Sequence, residues 1–286
     1  MIYVLINPLS NNGKGGLAEA ELRELFTGKE LSFFDVTKYE SAAEICKQAG
    51  ADDEIIVAGG DGTLTHFVND VYEMKLSQKI SLYFCGSGND FMNDVKDRVS
   101  IQNKLIPLNE FMKSLPKVTV NGMTRYFING IGYGIDGYCC EEGDKVRATS
   151  DKPVNYTSIA IKGLLGKYKP RNATVTVDGE TRTYKRVWLA PSMLGRFYGG
   201  GMMVAPAQDR LNKEKTLTNV VCHKGRKLKI LMMFPNIFKG AHTKFTDIID
   251  FRTGHSIQVE FDKPCALQID GETVLNVKSY SVSYGE

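Results

Sequence analysis

Residues 54–65 combine a short apolar run with three glycines and one aspartate. The run ends in Gly59-Gly60-Asp61-Gly62-Thr63, after which apolar residues return at helical spacing. This pattern predicts a strand, a glycine-rich turn and a helix whose N-terminus suits phosphate. Asp61 is a poor phosphate contact and a better partner for Mg²⁺ or for a hydroxyl that is being activated. A tight turn that binds nothing is the alternative for this stretch alone.

Two more loops rich in Gly, Ser and Asn follow predicted strands. Asn7-Pro8-Leu9-Ser10 comes after the first strand, and Gly86-Ser87-Gly88-Asn89-Asp90-Phe91 comes after the fourth. In open α/β sheets, ligands sit beyond the carboxyl ends of the parallel strands. We therefore expect these two loops to converge with the Asp61 loop.

Strands and helices alternate in the first part of the chain, which predicts a parallel sheet covered by helices on both faces. The predicted strands are Ile2–Ile6, Leu31–Val36, residues 54–58 and Ile80–Phe84. The predicted helices are Leu17–Phe26, Ala42–Ala49 and a third that runs from the Asp61 loop to about Met74.

The pattern changes near residue 115 to short β runs, two of them followed by the turn pairs Asn121-Gly122 and Asp178-Gly179. The predicted strands are Lys117–Val120, Thr124–Gly130, Arg171–Val177, Thr181–Leu189, Thr216–Cys222, Ile257–Phe261, Ala266–Ile269 and Val274–Tyr284. Two helices, Tyr156–Tyr168 and Lys227–Phe238, interrupt them. The fold class is α/β + β: an α/β domain over residues 1–115, followed by an antiparallel β-sandwich over residues 116–286.

Composition gives no support for a nucleic-acid-binding protein or for a membrane-spanning protein. A net charge of +3 gives no argument for nucleic-acid binding. No apolar run approaches the ~18–20 residues of a transmembrane helix. Six cysteines form no C-x-x-C pair and fit small buried residues of a cytoplasmic protein.

The motifs as an ordered set resemble the diacylglycerol kinase catalytic family, which includes sphingosine and ceramide kinases. The resemblance rests on the three loops above and on later motifs. These are Phe127-Ile128-Asn129-Gly130, Gly134-Ile135-Asp136, Gly199-Gly200-Gly201, Ala205-Pro206, Gly240-Ala241-His242 and Ile269-Asp270-Gly271-Glu272. It implies an N-terminal nucleotide-binding domain, a C-terminal β-sandwich, and transfer of the ATP γ-phosphoryl to a lipid hydroxyl.

The resemblance also implies roles for individual residues. The residues expected around ATP are Asn7, Ser10, Gly59, Gly60, Gly62, Thr63, Gly86, Ser87, Gly88, Asn89 and Glu272. Asp61 and Glu272 are expected beside Mg²⁺. Asp270 is expected to act as the general base, with Asp61 as its rival for that role. The position of each carboxylate relative to the reacting hydroxyl has to decide between them, before their pKa values do.

The implied setting is cytoplasmic and peripheral to a membrane, with a diacylglycerol-type lipid as acceptor; a homodimer is compatible with it. The cluster Lys224, Arg226, Lys227 and Lys229 either contacts anionic headgroups or is a solvated turn. Two alternatives stay open: an NAD kinase, which shares the Asp61 loop, and a non-catalytic nucleotide- or lipid-binding protein. Departures from the family pattern at Met92-Asn93 and Glu214-Lys215 favour the latter mildly.

Several of these residues also have structural interpretations. Asp270-Gly271 is a turn pair, and Asp90 and Asp136 suit helix N-caps. The spacing of Gly132, Gly134 and Gly137 matches a dinucleotide fingerprint but occurs outside its usual βαβ context.

Overall fold

The computed structural model describes residues 1–86, 88–150 and 154–284. The chain divides into two compact units, Met1–Ser114 and Leu115–Glu286. Across the described residues, no helix combines the length and apolar character needed to cross a bilayer.

The described residues of the first unit form five strands and five α-helices. The strands are β1 (Ile2–Ile6), β2 (Leu31–Asp35), β3 (Glu54–Gly59), β4 (Lys79–Phe84) and β5 (Leu105–Pro107). The helices are α1 (Ser10–Gly13), α2 (Leu17–Leu25), α3 (Ala42–Cys46), α4 (Asp61–Val71) and α5 (Asp90–Val95). Short 3₁₀ turns follow β2 and α4, at Val36–Lys38 and Tyr72–Met74.

The sheet of the first unit has the order β2-β1-β3-β4-β5. Its first four strands are parallel, as the alternating pattern predicts. Strand β5 was not predicted; it joins β4 as an antiparallel edge strand. Strand β1 is buried along its whole length, which explains why it reads as a continuous apolar run.

Two glycines let the loops after β3 and β4 approach each other closely. A Cβ built on Gly86 would lie 2.3 Å from the Cα of Gly60. Beside them, the amide of Cys85 donates to the carbonyl of Gly59 at 3.0 Å. The backbones therefore pass at a distance that no larger residue allows.

In the second unit, the part of the chain that the structure describes forms twelve strands and three α-helices. Its strands are β6 (Pro116–Val120), β7 (Met123–Tyr126), β8 (Gly130–Tyr133), β9 (Arg171–Val177), β10 (Glu180–Val187), β11 (Ser192–Met193), β12 (Phe197–Tyr198), β13 (Met202–Met203), β14 (Leu217–Cys222), β15 (Ile249–Gly254), β16 (Ser256–Ile269) and β17 (Glu272–Tyr284). Its helices are α6 (Ile135–Arg147), α7 (Tyr156–Lys162) and α8 (Lys227–Ile237), with a π-helical turn at Gly163–Lys167 and a 3₁₀ turn at Ala241–Lys244.

All strand pairs of this unit are antiparallel, and ten strands join in one hydrogen-bonded sheet. Strand β16 changes partners along its length: Ile257–Phe261 pairs with β9, and Leu267–Ile269 pairs with β8. The register against β17 shifts between these segments. The two strands predicted at Ile257–Phe261 and Ala266–Ile269 are therefore one long, irregular strand.

One predicted strand, Thr124–Gly130, is wrong as a continuous element. The structure has β7 ending at Tyr126 and β8 beginning at Gly130. The amides of residues 128–130 donate to a side chain described below and not to a neighbouring strand. Strands β11, β12, β13 and β15 were not predicted.

The three glycines of the dinucleotide-like spacing are explained by close packing within this unit. A Cβ on Gly137 would lie 2.0 Å from the carbonyl oxygen of Ala266, and one on Gly134 would lie 2.6 Å from that of Trp188. One on Gly132 would meet the Gln268 side chain at 2.6 Å. The spacing therefore has a packing role here.

Asp136 lies in the core beside Tyr198, which hydrogen-bonds to its carboxylate. It is the second residue of α6, whose N-cap is Gly134, so the predicted N-cap role is wrong. Within the described chain, its Oδ2 is buried without a hydrogen-bond partner. Burial raises the pKa of Asp136 to about 7.

Gly86→Ala should destabilise the first unit by about 1–3 kcal/mol, because the new Cβ overlaps Gly60. The measurement is urea unfolding of the full chain. Gly62→Ala is the matched control: a Cβ there meets nothing within 4 Å, so its stability should stay level or rise by ~0.5–1 kcal/mol. Equal stability of Gly86→Ala and wild type would contradict the close approach.

Asp136 should make folding less favourable as pH rises. Because its folded pKa of about 7 lies above the unfolded value of 3.8, the folded state holds more protons between these values. Stability attributable to this group is then lost from about pH 4 to about pH 7, by up to ~4 kcal/mol. Denaturant unfolding across that pH range should show this decline in wild type and not in Asp136→Asn. Parallel pH profiles would contradict it.

Candidate active site

Loops after β1, β3 and β4 meet at the carboxyl edge of the first sheet. Asn7 Nδ2 donates to Thr63 Oγ1 at 3.1 Å, and Asn7 Oδ1 accepts the Leu9 amide at 3.0 Å. Ser10 Oγ donates to the Asn7 carbonyl at 2.8 Å and lies 4.0 Å from the sulfur of Cys85. The structure thus brings the first predicted loop against the other two.

Asp61 joins two of these loops. It is the first residue of α4, and its carboxylate accepts the amide of Asp90 at 3.0 Å and that of Phe91 at 3.1 Å. These amides open α5, whose first N–H groups have no partner within the helix. Asp61 therefore fixes the start of α5, a structural role that the sequence did not indicate.

Asp90 was proposed as the N-cap of the helix that it opens. The N-cap is Asn89, so that prediction is off by one residue. Asn89 makes no side-chain cap bond, and its Oδ1 is buried without a partner among the described residues. A buried amide oxygen of this kind is a candidate ligand contact.

The remaining predicted loop residues lie at the same edge. Gly88 packs near Asp61, since a Cβ there would be 3.1 Å from Oδ2. Gly59 packs on Thr63, and Gly60 and Gly86 make the close approach described above. Gly62 and Thr63 follow Asp61 in the first turn of α4, where N–H groups face outward from the helix start. Ser87 lies outside the described residues.

Asp270 in the second unit is held by three backbone amides. Its carboxylate accepts the N–H groups of Ile128 at 2.6 Å, Asn129 at 2.9 Å and Gly130 at 3.0 Å. Its own amide donates to the Gly130 carbonyl at 3.1 Å. Backbone donors stabilise the ionised form of a carboxylate, and they fix its orientation.

Asp270 also occupies the tip of the β16–β17 hairpin. Asp270 and Gly271 have φ of 47° and 95°, the left-handed pair of a two-residue turn. The Gly271 amide donates to Gln268 Oε1 at 2.6 Å. The turn interpretation is therefore correct for the backbone, while the carboxylate makes contacts that a simple turn does not require.

Glu272, the third residue of the Asp-Gly-Glu motif, pairs with Arg125 of β7. Both side chains are partly buried. This pair fixes the glutamate next to the Asp270 turn within the same unit.

Arg210 is a site residue that the sequence analysis missed. It is buried, and its guanidinium donates to the Ile128 carbonyl at 2.9 Å and to Asn129 Oδ1 at 3.1 Å. Arg210 thus stabilises the segment of residues 128–130, whose amides hold Asp270. The neighbouring motif Ala205-Pro206 does not indicate these contacts of Arg210, so only the fold reveals this role.

Asp61 is better suited to a metal ion that is bound together with substrate phosphates than to a site made entirely of protein ligands. Among described residues, no three His, Cys, Asp or Glu side chains form a group that could hold a metal ion. Mg²⁺ bound together with substrate phosphates needs only one or two protein carboxylates. Asp61 at the phosphate-suited start of α4 fits such a role.

Family models match both halves of the chain. Residues 1–115 match the model described as the diacylglycerol kinase catalytic domain. Residues 129–280, more than half of the chain, match the YegS C-terminal NAD kinase β-sandwich-like domain.

Curated relatives agree with this assignment. "Putative lipid kinase YtlR" of Bacillus subtilis is 24% identical over 269 residues, which covers 87% of this chain and 86% of the relative. A diacylglycerol kinase of Mycobacterium tuberculosis is 22% identical over 263 residues, covering 86% of this chain and 81% of the relative.

The fold has a solved counterpart. A crystal structure described as a "putative diacylglycerol kinase" from Bacillus anthracis superposes with a TM-score of 0.70 at 18% identity. The superposition covers 100% of this chain and 92% of that one. The α/β domain followed by an antiparallel domain is thus confirmed, and the chain belongs to the diacylglycerol kinase catalytic-domain family.

Proposed function

We propose that this protein is an ATP-dependent lipid kinase that transfers the γ-phosphoryl group to a lipid hydroxyl, with diacylglycerol as the default acceptor. The observation that carries the proposal is the edge where three loops meet around Asp61 and Asn89. Phosphoryl transfer asks the protein mainly to position phosphates and to neutralise charge. The relatives' names support the acceptor class.

The loop edge is the proposed ATP site. The N–H groups at the start of α4 suit phosphate oxygens, and the buried Asn89 Oδ1 offers an acceptor or ligand atom. Asn7, Ser10 and Thr63 hold the loops in register through their mutual hydrogen bonds. Mg²⁺, when bound with ATP, would neutralise phosphate charge; Asp61 is its proposed protein partner.

Asp270 is the proposed general base. As the acceptor hydroxyl oxygen bonds to the γ-phosphorus, the bond from phosphorus to the leaving ADP oxygen breaks, and the hydroxyl proton passes to the Asp270 carboxylate. The three backbone donors fix the orientation of this carboxylate. Asp61 is the rival for this role, because its carboxylate is likewise oriented by backbone amides.

An exposed apolar surface supports action at a membrane. In α7 and the turn after it, Ala160 and Leu164 are buried, whereas Ile161 and Leu165 are exposed by 40% and 60%. In α8, Ile230 and Met233 are buried, whereas Leu228 and Met232 are exposed by 70% and 58%. Lys227 Nζ donates to the Leu165 carbonyl at 3.0 Å, so the two segments are neighbours.

The exposed side chains Ile161, Leu165, Leu228 and Met232 form a surface that we call the docking face. The charged residues around it suit an anionic bilayer. Neither Tyr156–Lys167 nor Lys227–Ile237 contains an acidic residue. Exposed lysines at 162, 167 and 227 flank the apolar side chains, and each cation near a charged membrane is worth about 1 kcal/mol. Helices α7 and α8 thus each pack on the second unit with one face and expose the other face, which is available to lipid. The six free cysteines fit a reducing cytoplasm.

Asp270→Asn should lower phosphate transfer by about 10²–10⁴-fold while ATP still binds. Asp61→Asn should instead weaken binding of Mg-ATP. Each variant should also lose about 1–3 kcal/mol of stability, because an amide NH₂ then faces a backbone N–H. Radiolabelled transfer to diacylglycerol micelles and ATP binding are measured well below the melting temperature of each variant. Denaturant unfolding measures the stability.

Asp52→Asn, an exposed carboxylate in the first unit, is the charge control and should behave as wild type. Full transfer by both Asp270→Asn and Asp61→Asn would reject the site. Label that appears only with NAD as acceptor would move the protein to NAD kinase chemistry.

The docking face predicts that Leu165→Ser combined with Leu228→Ser lowers binding to anionic vesicles by about tenfold or more, since burying such a side chain contributes roughly 1.5–3 kcal/mol. Vesicle sedimentation measures this. Leu17→Ser is the control, because Leu17 is 65% exposed in the first unit. Unchanged sedimentation of the double variant would exclude this face.

A further inference from the structure

A cavity of about 560 Å³ in the second unit has three cationic and two tyrosine side chains among the eleven residues that line it. Lys167 ends the π-helical turn, Lys169 lies in the connection that follows, Arg171 begins β9, and Tyr138 comes from α6. Tyr168 and the β16 residue Cys265 complete the wall. The volume falls in the range of small-molecule sites.

The positive charge of the cavity is not neutralised by its own wall. Within the described residues, Lys167, Lys169 and Arg171 form no ion pair with a carboxylate, and the Arg171 side chain hydrogen-bonds to the sulfur of Cys265 in the same wall. Glu141, the acidic residue of the wall, pairs with Lys145 of its own helix at 3.0 Å. Three cations therefore face one cavity with little local compensation, which favours an anionic ligand.

Two buried donors in the wall lack partners. Tyr168 is 5% exposed, and neither its hydroxyl nor Arg171 Nε has a hydrogen-bond partner in the part of the chain that the structure describes. Buried polar groups are nearly always hydrogen-bonded, so each such exception calls for an explanation. A ligand with several acceptor oxygens would supply both partners.

The hydroxyls are donors at neutral pH. Burial raises the pKa of both Tyr138 and Tyr168 above the ordinary tyrosine value. Lysine and arginine side chains are donors as well and accept nothing. The convergent groups thus match phosphate, which offers only acceptor oxygens and negative charge.

We propose that this cavity binds a phosphate group, either of a phosphorylated small molecule or of a phospholipid headgroup. Cys265 and Ala266 of the wall lie on β16, and Leu275 and Asn276 lie on β17. A ligand there contacts both strands of the hairpin whose tip is Asp270. The site does not depend on the proposed kinase activity, since it is defined without ATP or acceptor.

Titration of the full chain with inorganic phosphate, without ATP or lipid, tests the proposal. Calorimetry and thermal unfolding at constant ionic strength, with chloride as the reference salt, should show saturable binding and stabilisation. Lys169→Glu should weaken phosphate binding by about tenfold or more. Lys185→Glu makes the same charge change at an exposed lysine outside the wall and should bind as wild type.

Tyr168→Phe gives the sharpest comparison, because it removes only the hydroxyl. We expect weaker phosphate binding and a melting temperature without phosphate that is equal or higher, since an unpartnered buried hydroxyl is lost. Phosphate binding that stays unchanged in Lys169→Glu and Tyr168→Phe would overturn the site and would assign the binding elsewhere, for example to the loops of the first unit.

A second arm distinguishes the sources of the phosphate. Glycerol 3-phosphate represents soluble ligands, and short-chain phosphatidic acid below its micelle concentration represents headgroups. Binding of either one, weakened by both variants, supports the site and identifies its ligand class. Failure of all three probes to bind would overturn it, whatever the outcome of the transfer assays.

Discussion

The hydrogen bonds to the Asp270 carboxylate fix the position of two parts of the second unit relative to each other. The carboxylate accepts three consecutive amides, those of residues 128–130, and so ties the tip of the β16–β17 hairpin to the start of β8. Arg210 holds the same segment through the Ile128 carbonyl and the Asn129 side chain. Because the amides of Ile128 and Asn129 point at a side chain, these two residues lie outside the strands, and β8 begins at Gly130. The break between β7 and β8 is a direct consequence of this contact.

The first unit uses the same device at Asp61, whose carboxylate accepts two amides at the start of α5. In both units, a carboxylate with a proposed chemical role is oriented by backbone donors supplied by a different loop. Such donors preorganise a side chain without large entropic cost at the moment of reaction. The corresponding cost is that substitutions at either position change stability and chemistry together, so transfer rates alone cannot assign roles to these residues.

Sequence patterns predicted most of the fold for physical reasons that can be named. The buried parallel strands are continuous apolar runs, and the turn pair Asp270-Gly271 has the left-handed geometry that its residue types favour. Strand β5 and strand β15 were missed because edge position and pairing partner leave little trace in local composition. The roles of Arg210, Gln268 and Arg125 were missed as well, since each depends on residues far away in the chain. The spacing of Gly132, Gly134 and Gly137, which the sequence places outside a βαβ unit, has a packing cause, because close packing selects glycine as strongly as a bound dinucleotide does.

Transfer of label from γ-labelled Mg-ATP to a panel of lipids tests the central claim most directly. The panel holds diacylglycerol, monoacylglycerol, ceramide, sphingosine and phosphatidylglycerol in micelles, with NAD as a separate acceptor. We expect label in a neutral or sphingoid lipid, lost in Asp270→Asn while ATP binding persists. Label in NAD alone, or bound ATP with no labelled lipid, would contradict the assignment as a lipid kinase.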